Sequence, residues 1–188
     1  MKKPSEKTSL PPPGPDRAFP REGALLALPD GRTALGLGPF LARKAPLPGK
    51  PAFFAPDFFL RDETPWRHPA RFMVLAPEEA ARLLPPPPEG KPAWRPPDPA
   101  PFFQAFGELQ EEFLGGRLAK AVPLVFEEAP LPPEWTDRLP GLALRALQAR
   151  PPSRAYAFWE GEAGLLGATP ETLFQEGPGG LAHTMALA

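Results

Sequence analysis

The sequence predicts a fold of the α+β class, in which antiparallel strands are combined with a few separate helices. Two short apolar runs on either side of Pro29, Asp30 and Gly31 are typical of a β-hairpin. Apolar residues recur at three- and four-residue spacing between residues 102 and 113, which predicts an amphipathic helix. Four short apolar runs after residue 154, separated by Gly and Glu, predict an antiparallel meander.

Residues 1–22 differ from the rest of the sequence, because they are polar and rich in proline. Such a composition favours a flexible arm. Residues 23–188 show no further shift in composition, and we therefore expect them to belong to one domain. The predicted hairpin occupies the beginning of that domain, at residues 24–38.

Short apolar runs and prolines alternate after the hairpin. Residues 52–60 and 71–77 are rich in aromatic and apolar side chains and are bounded by prolines, which predicts two strands. Pro77 can occupy the first position of a short helix over residues 77–84, because glutamates fill its first turn. Four consecutive prolines then end that helix.

The clearest predicted helix spans residues 98–116, where Asp98 can cap the first turn and two glycines end the last one. We expect its apolar stripe to pack in the core; the stripe consists of Phe102, Phe106, Leu109 and Phe113. Residues 117–126 then predict a strand, in which Pro123 implies an edge position or a bulge. A second helix is predicted over residues 141–150.

The composition argues against several classes of function. The net charge is −1 with both signs scattered, so the chain lacks the basic face that nucleic acid or anionic lipid requires. The absence of cysteine rules out disulfides, zinc–thiolate sites and thiol nucleophiles. No apolar run approaches the length of about 20 residues that a membrane-spanning helix needs. We therefore expect a cytoplasmic protein without a membrane partner.

The sequence lacks Asn and Ile and contains 33 prolines, a composition that is typical of a thermophile.

Several familiar site motifs are missing from the sequence. The glycines at 36 and 38 lack the third glycine of a dinucleotide-binding loop. His68 and His183 stand in no metal-ligand spacing, so each is expected to be structural or solvated. There is no nucleophile elbow and no phosphate-binding loop. The candidates that remain are one lysine, Lys120, and one glutamate, Glu171.

Lys120 and Glu171 stand at the ends of apolar runs that are predicted to be strands. Lys120 is followed by "AVPLVF" and Glu171 is preceded by "GLLGATP". A single charge of this kind is usually solvated and without function. If the two strand ends meet, however, the ammonium and carboxyl groups face each other across a cleft.

The residues around this pair resemble the chorismate-binding enzymes, and isochorismate synthase more closely than the other members. That family has a strand lysine, then a Phe-Leu-Gly-Ala-(Ser/Thr)-Pro-Glu-Arg-Leu motif, and then Ala-Leu-Ala-Gly-Thr. The chain matches it with Lys120, with "LLGATPETL" at residues 165–173, and with "ALA" at its last three positions. Lys120 and Glu171 are 51 positions apart, which also fits the family.

The resemblance implies both a fold and a reaction. The implied fold is a two-sheet sandwich with helices on the outer faces, of which residues 23–188 are the N-terminal portion. The implied reaction converts chorismate to isochorismate by adding water at C2 and releasing the C4 hydroxyl. Lys120 corresponds to the base that activates the water, and Glu171 to the acid that protonates the departing hydroxyl. A base lysine requires burial or a cationic neighbour, and the apolar Leu165, Leu166 and Leu173 could provide the surroundings that an acid glutamate requires.

The resemblance also implies residues that bind the substrate and a metal. The expected substrate-binding residues are Gly167, Ala168, Thr169, Ala186, Leu187 and Ala188. The family uses Mg²⁺, whose ligands are expected beyond Ala188, so we expect no metal ligand in this chain. The arginines of the family pattern are replaced by Val125 and Thr172, which alters the anchoring of the substrate.

The sequence ends inside the Ala-Leu-Ala-Gly-Thr motif, which predicts that the 188-residue chain alone is inactive. Half of such a sandwich would expose apolar sheet surface, so we expect self-association through that surface. The pathway, menaquinone or siderophore synthesis, stays open. Two other functions also stay open: anthranilate or aminodeoxychorismate synthase component I, and a non-catalytic module that binds or regulates a partner.

Overall fold

The computed structural model describes residues 20–57, 59–149, 152–171 and 175–183. The strands are β1 Glu22–Ala27, β2 Thr33–Arg43, β3 Phe53–Phe54, β4 Trp66–Leu75, β5 Arg154–Glu160, β6 Ala163–Thr169, β7 Gln175–Glu176 and β8 Ala182–His183. The helices are α1 Pro77–Ala81, α2 Ala100–Leu114 and α3 Leu139–Ala146, with short 3-10 helices at Pro133–Arg138 and Pro178–Gly180. The predicted mixture of antiparallel strands and a few helices is therefore confirmed.

The described residues group into two compact units. One unit is formed within Met1–Pro88 and Glu134–Ala188, and the other is Glu89–Pro133. The first unit contains all the strands together with α1 and α3, whereas α2 belongs to the second. None of the helices in the described part of the chain is long and apolar enough to cross a membrane.

The first unit is built on a six-stranded sheet with the order β3-β4-β2-β1-β5-β6, in which all neighbours are antiparallel. The predicted hairpin is confirmed, since β1 pairs with β2 and Ala27 stands opposite Thr33. Gly31 closes its turn with φ of 82°, a backbone conformation that glycine adopts without strain. Strands β7 and β8 form a separate two-stranded sheet.

One face of the six-stranded sheet, which we call the inner face, carries the core. Side chains alternate along β5, so Ala155, Ala157 and Trp159 are buried while their neighbours are only partly covered. They join Leu25, Leu35 and Leu37 of β1 and β2. The remaining buried members are Ala80 of α1, Leu84 just after α1, and Ala143 of α3. Burial of a leucine side chain of this kind contributes about 1.5–3 kcal/mol. The core therefore lies between the sheet and the helices α1 and α3.

The opposite face, which we call the outer face, is apolar but only partly covered. The rings of Phe40, Phe53, Phe72 and Phe158 form a cluster with centroid separations of 5.8, 6.1 and 6.4 Å. Leu26, Phe72 and Val74 are 43%, 39% and 37% exposed. The outer face thus presents the apolar sheet surface that the sequence analysis expected.

His68 is structural, as the sequence predicts. Its ring is 6% exposed, and its Nε2 accepts the backbone N–H of Leu47 at 3.1 Å. The other ring nitrogen, Nδ1, lies 2.9 Å from the carbonyl oxygen of Pro51 and therefore carries the proton. These two bonds fix the long β2–β3 connection to β4. His183 lies in β8, and its side chain is outside the described part of the structure.

The connection from β3 to β4 is fixed by an ion pair. Asp62 accepts the backbone N–H of Thr64 at 2.8 Å and pairs with Arg67 at 2.8 Å. The Thr64 N–H, followed by the Arg67 guanidinium, holds the pKa of the Asp62 carboxyl below its ordinary value of 3.8. This carboxylate therefore stays ionised and keeps the connection in place.

Two predicted strands in the first half of the chain differ from the observed ones in length. Among the described residues of the range 52–60, only Phe53–Phe54 form a strand, because Pro56 lacks the N–H that would continue the ladder. The strand predicted at 71–77 begins earlier, at Trp66. The predicted meander is observed as two hairpins, β5–β6 and β7–β8, which lie in separate sheets. Residues 172–174, which connect the two hairpins, are outside the described residues.

The predicted helices are confirmed, but the burial predicted for α2 is wrong. Asp98 accepts the Ala100 N–H at 3.0 Å at the start of α2, and the helix ends at Gly115 as expected. No residue of α2 is buried: within the predicted stripe Phe106 is 46% exposed, and Phe102, Leu109 and Phe113 are only partly buried. Within Glu89–Pro133, α2 is the only helix or strand, so this unit offers no second layer to cover the stripe.

The strand predicted at residues 117–126 is also wrong. Residues 115–132 contain neither helix nor strand, although all of them are described. Pro123 cannot donate to a ladder, and the unit Glu89–Pro133 contains no strand with which the segment could pair. The apolar run "AVPLVF" is therefore irregular and pairs with no strand, with Leu124 and Phe126 71% and 78% exposed.

Candidate functional site

The β5–β6 hairpin positions Glu171, the sequence-predicted acid. Its two strands pair from Arg154 opposite Thr169 to Glu160 opposite Ala163, and Gly161 closes the turn with φ of 62°. Pro170 follows the last residue of β6 and cannot donate to the ladder. Glu171 therefore comes directly after the end of the strand, and its side chain is exposed.

A hydrogen bond from the backbone fixes Glu171 to the strand end. The Glu171 N–H donates to the Thr169 hydroxyl oxygen at 3.1 Å, a local bond that Thr commonly makes two residues ahead. The Thr169 hydroxyl keeps its own proton for another acceptor. Thr169 and Glu171, two residues that the sequence assigns to the site, are therefore brought together.

Gly167 lies beneath the ring of Tyr156, which is the only tyrosine in the chain. A Cβ atom at position 167 would stand 2.6 Å from the Tyr156 hydroxyl oxygen and 2.8 Å from its Cζ atom. Contacts this short do not occur between real side chains, so the tyrosine can adopt this position only over a glycine. The space above Gly167, a predicted substrate-binding residue, is thus filled by the Tyr156 ring.

Sequence reasoning missed two residues on this hairpin, Arg154 and Tyr156. Alternation places both on the outer face, because Ala155 and Ala157 between them are buried on the inner face. Cross-strand pairing sets Arg154 beside Thr169 and Tyr156 beside Gly167. The sequence contains a signal for this pairing. Once the two strands are recognised, the two-residue turn Gly161–Glu162 fixes which of their residues stand opposite each other. We call Arg154, Tyr156, Gly167, Thr169 and Glu171 the hairpin site.

Lys120, the sequence-predicted base, does not lie on a strand. It is exposed within the irregular segment 115–132 of the unit Glu89–Pro133, whereas Glu171 belongs to the other unit. The surroundings of Lys120 also differ from the expected ones, because the apolar residues that follow it in the sequence are exposed. The structure thus places each member of the proposed pair within its own unit and shows no burial around either one.

The apolar neighbours of Glu171 are exposed as well. Leu165 and Leu166 are 67% and 43% exposed, so they do not enclose the carboxyl group as the sequence analysis expected. Ala168 is exposed on the inner-face side of β6. Leu173, Thr172 and the three predicted substrate-binding residues Ala186, Leu187 and Ala188 lie outside the described residues.

Val125, which stands where the family pattern has arginine, contributes to an apolar groove. The groove lies between α2 and residues 123–126, has a volume of about 330 Å³, and is lined by Phe102, Pro123 and Val125 among others. Apart from Asp98 it is lined by apolar residues, so it provides no cation for a carboxylate substrate. We therefore place no part of the predicted chemistry there.

Two carboxyl groups elsewhere form ion pairs with arginines close to them in sequence. The pKa values of the Asp30 and Glu112 carboxyls are lowered by hydrogen bonds from Arg32 and Arg117, at the β1–β2 turn and the end of α2. Among the described residues, no group of three His, Cys, Asp or Glu side chains is placed to hold a metal ion.

Comparisons with protein-family models, with curated proteins and with solved structures give no match to the chain.

Proposed function

We propose that the chain is the N-terminal portion of a chorismate-binding enzyme of the isochorismate synthase type. The observation that carries this proposal is the run "GLLGATPE", whose glutamate follows a strand end and has its N–H fixed by Thr169. The two-sheet sandwich is part of the same proposal. The six-stranded antiparallel sheet, with helices on one face, is compatible with one layer of such a fold.

The proposed reaction uses two proton transfers. Lys120, in its neutral form, takes a proton from water, and the water oxygen forms a bond with C2 of chorismate. The ring double bonds shift, the C4–oxygen bond breaks, and Glu171 donates its proton to the leaving oxygen, which departs as water. One water is consumed and one is released, so the reaction is an isomerisation. Proton transfer by a positioned side chain contributes typically about 10²–10⁴-fold to a rate.

Both roles require surroundings that the described residues do not supply. Lys120 and Glu171 are exposed, and no carboxylate cluster is present for Mg²⁺ in the described part of the chain. We therefore propose that the substrate is enclosed by residues outside the described part of the chain. For the 188-residue chain by itself, we propose no turnover.

Substitution of the two residues tests the proposal. Lys120→Ala and Glu171→Gln should each lower chorismate turnover by about 10²–10⁴-fold, because each removes one proton transfer. The enzyme is expressed through any coding sequence that follows the Ala188 codon, supplied with chorismate and Mg²⁺, and the product is separated by chromatography. Matched controls are Lys91→Ala, an exposed lysine of the same unit, and Glu162→Gln, an exposed glutamate of the β5–β6 turn. Unchanged turnover in Lys120→Ala would remove the assigned base.

The exposure of Lys120 and Glu171 favours a second candidate, a non-catalytic binding or regulatory module. In that case a natural stop codon follows Ala188, and no chorismate is converted. Codons for Gly and Thr in frame after Ala188 would instead extend the family motif and support the proposed isochorismate synthase.

The other alternative is an amino-transferring synthase. Such an enzyme would form an aminated product from chorismate only when ammonia is supplied.

Self-association through the outer face is a further part of the proposal. We expect the 188-residue chain to sediment as a dimer or larger species, because Leu26, Phe72 and Val74 expose apolar surface. Val74→Lys should shift the distribution towards the monomer. Leu114→Lys is the matched control, since Leu114 is 88% exposed but belongs to α2. A stable dilute monomer of the unsubstituted chain that binds little hydrophobic dye would contradict this expectation.

A further inference from the structure

We propose that Arg154, Tyr156 and Thr169 form a carboxylate-binding subsite for a small cyclic carboxylate on the outer face of the β5–β6 hairpin. The choice of a cyclic ligand rests on the proposed function. The preference for a carboxylate follows from the chemistry of the three side chains.

Arg154 supplies the positive charge of the subsite. It is half-buried at the start of β5, and it has neither a hydrogen bond nor an ion pair with any described residue. It is the only cation among the outer-face positions of β1, β5 and β6. Glu22, the acid at the start of β1, already accepts the Phe40 N–H at 2.8 Å and is not paired with Arg154. A half-buried guanidinium without a counter-charge is stabilised when a carboxylate binds to it.

Tyr156 and Thr169 supply two neutral donors beside that charge. The Tyr156 hydroxyl makes no hydrogen bond with the described residues, and its ring is held above Gly167. The Thr169 hydroxyl accepts the Glu171 N–H, so its own proton is directed elsewhere. Arg154 stands directly opposite Thr169, two residues from Tyr156 on the same face. The three donors thus come from neighbouring positions on one face of the hairpin, and a carboxylate has about four lone-pair sites to accept them.

The ring of the ligand has an apolar surface to contact beside these donors. Leu26 stands opposite Tyr156 on β1 and is 43% exposed, and Leu165 precedes Gly167 on the same face and is 67% exposed. A single cation suits one carboxylate, whereas nucleic acid would need several cations along the surface. The arrangement therefore favours a small ring that carries one carboxylate near Arg154.

Benzoate is a stable probe for this subsite. The titration is carried out in the Val74→Lys background, in which self-association through the outer face is expected to be weakened. Addition of sodium benzoate to this chain, followed by amide chemical shifts at constant ionic strength, should move the signals of residues 154–157 and 166–171 together. Arg154→Gln should weaken the affinity about 10-fold or more, since hydrogen bonds to charged groups contribute about 1.5–3 kcal/mol. Tyr156→Phe should weaken it less, and benzamide, which has no charge, should bind more weakly than benzoate.

Arg71→Gln is the matched control, because Arg71 is an exposed arginine of β4 on the inner-face side. Equal affinity in Arg154→Gln and Arg71→Gln, or shifts confined to other parts of the chain, would overturn the subsite. If Arg154→Gln fails to fold, unchanged benzoate affinity in Tyr156→Phe would overturn it instead. Benzoate binding by this chain, together with no chorismate turnover by the protein expressed through any coding sequence that follows Ala188, would leave the subsite standing and remove the proposed reaction. Turnover without benzoate binding would remove only the subsite.

Discussion

Replacing Gly141 by alanine is expected to lower the free energy of unfolding by about 1–3 kcal/mol, the usual cost of overpacking a filled site. Gly141 lies in the first turn of α3, where the helix packs against the proline run 85–88. A Cβ atom there would stand 2.5 Å from the Pro85 carbonyl oxygen and 2.7 Å from that of Pro86. These are backbone atoms of a stiff segment, so the helix itself must move away from the core.

The destabilisation expected for Gly141→Ala is opposite in sign to the usual effect of this substitution, which makes the experiment decisive. Glycine to alanine inside a helix ordinarily stabilises a protein by up to about 1 kcal/mol. Gly107→Ala in α2 is the matched control, since an added Cβ would meet nothing within 4 Å there and should stabilise α2. Urea unfolding of both variants measures the difference. A Gly141→Ala chain at least as stable as the unsubstituted chain would show that α3 does not pack on the proline run as described.

Replacing Gly23 by alanine is expected to destabilise the sheet by a comparable amount, about 1–3 kcal/mol. Gly23 stands opposite Trp159 on the neighbouring strand, and the indole lies across its backbone. An added Cβ would be 1.9 Å from the Cζ2 atom of that ring. The indole cannot turn aside without leaving the core and losing its Nε1–H bond to the Pro20 carbonyl at 3.2 Å.

A double-mutant cycle with Trp159→Leu tests this prediction. Leucine lacks the ring atoms that would collide with the new methyl group, so Gly23→Ala should cost little in the Trp159→Leu background. The two substitutions should therefore be strongly non-additive, as expected for residues in contact. Additive losses measured by thermal unfolding would show that the indole does not cover Gly23.

Much of the fold could be predicted because its signals are local. The turn at Pro29, Asp30 and Gly31 specifies the first hairpin, and Pro77 with its glutamates specifies the start of α1. Asp98 and Gly115 mark the ends of α2 within a residue or two. Each of these features depends on residues close in sequence, so no knowledge of the tertiary structure was needed.

The errors arose where the outcome depends on distant residues. Residues 117–126 have the composition of a strand, but no strand of their own unit pairs with them. The stripe of α2 has the period of a buried helix, but its unit holds no second layer to bury it. The same limit applies to the site. Glu171 could be found from its motif, whereas Arg154 and Tyr156 became candidates only when the register of β5 and β6 set them beside Thr169 and Gly167.

The origin of the oxygen in the product tests the proposed reaction most directly. The protein, expressed through any coding sequence after Ala188, is incubated with chorismate and Mg²⁺ in ¹⁸O-labelled water, and the product is analysed by mass spectrometry. The proposed reaction predicts isochorismate that carries one ¹⁸O at C2, formed about 10²–10⁴-fold more slowly by Lys120→Ala or Glu171→Gln. Unlabelled product, an aminated product, or no conversion of chorismate would contradict the proposal.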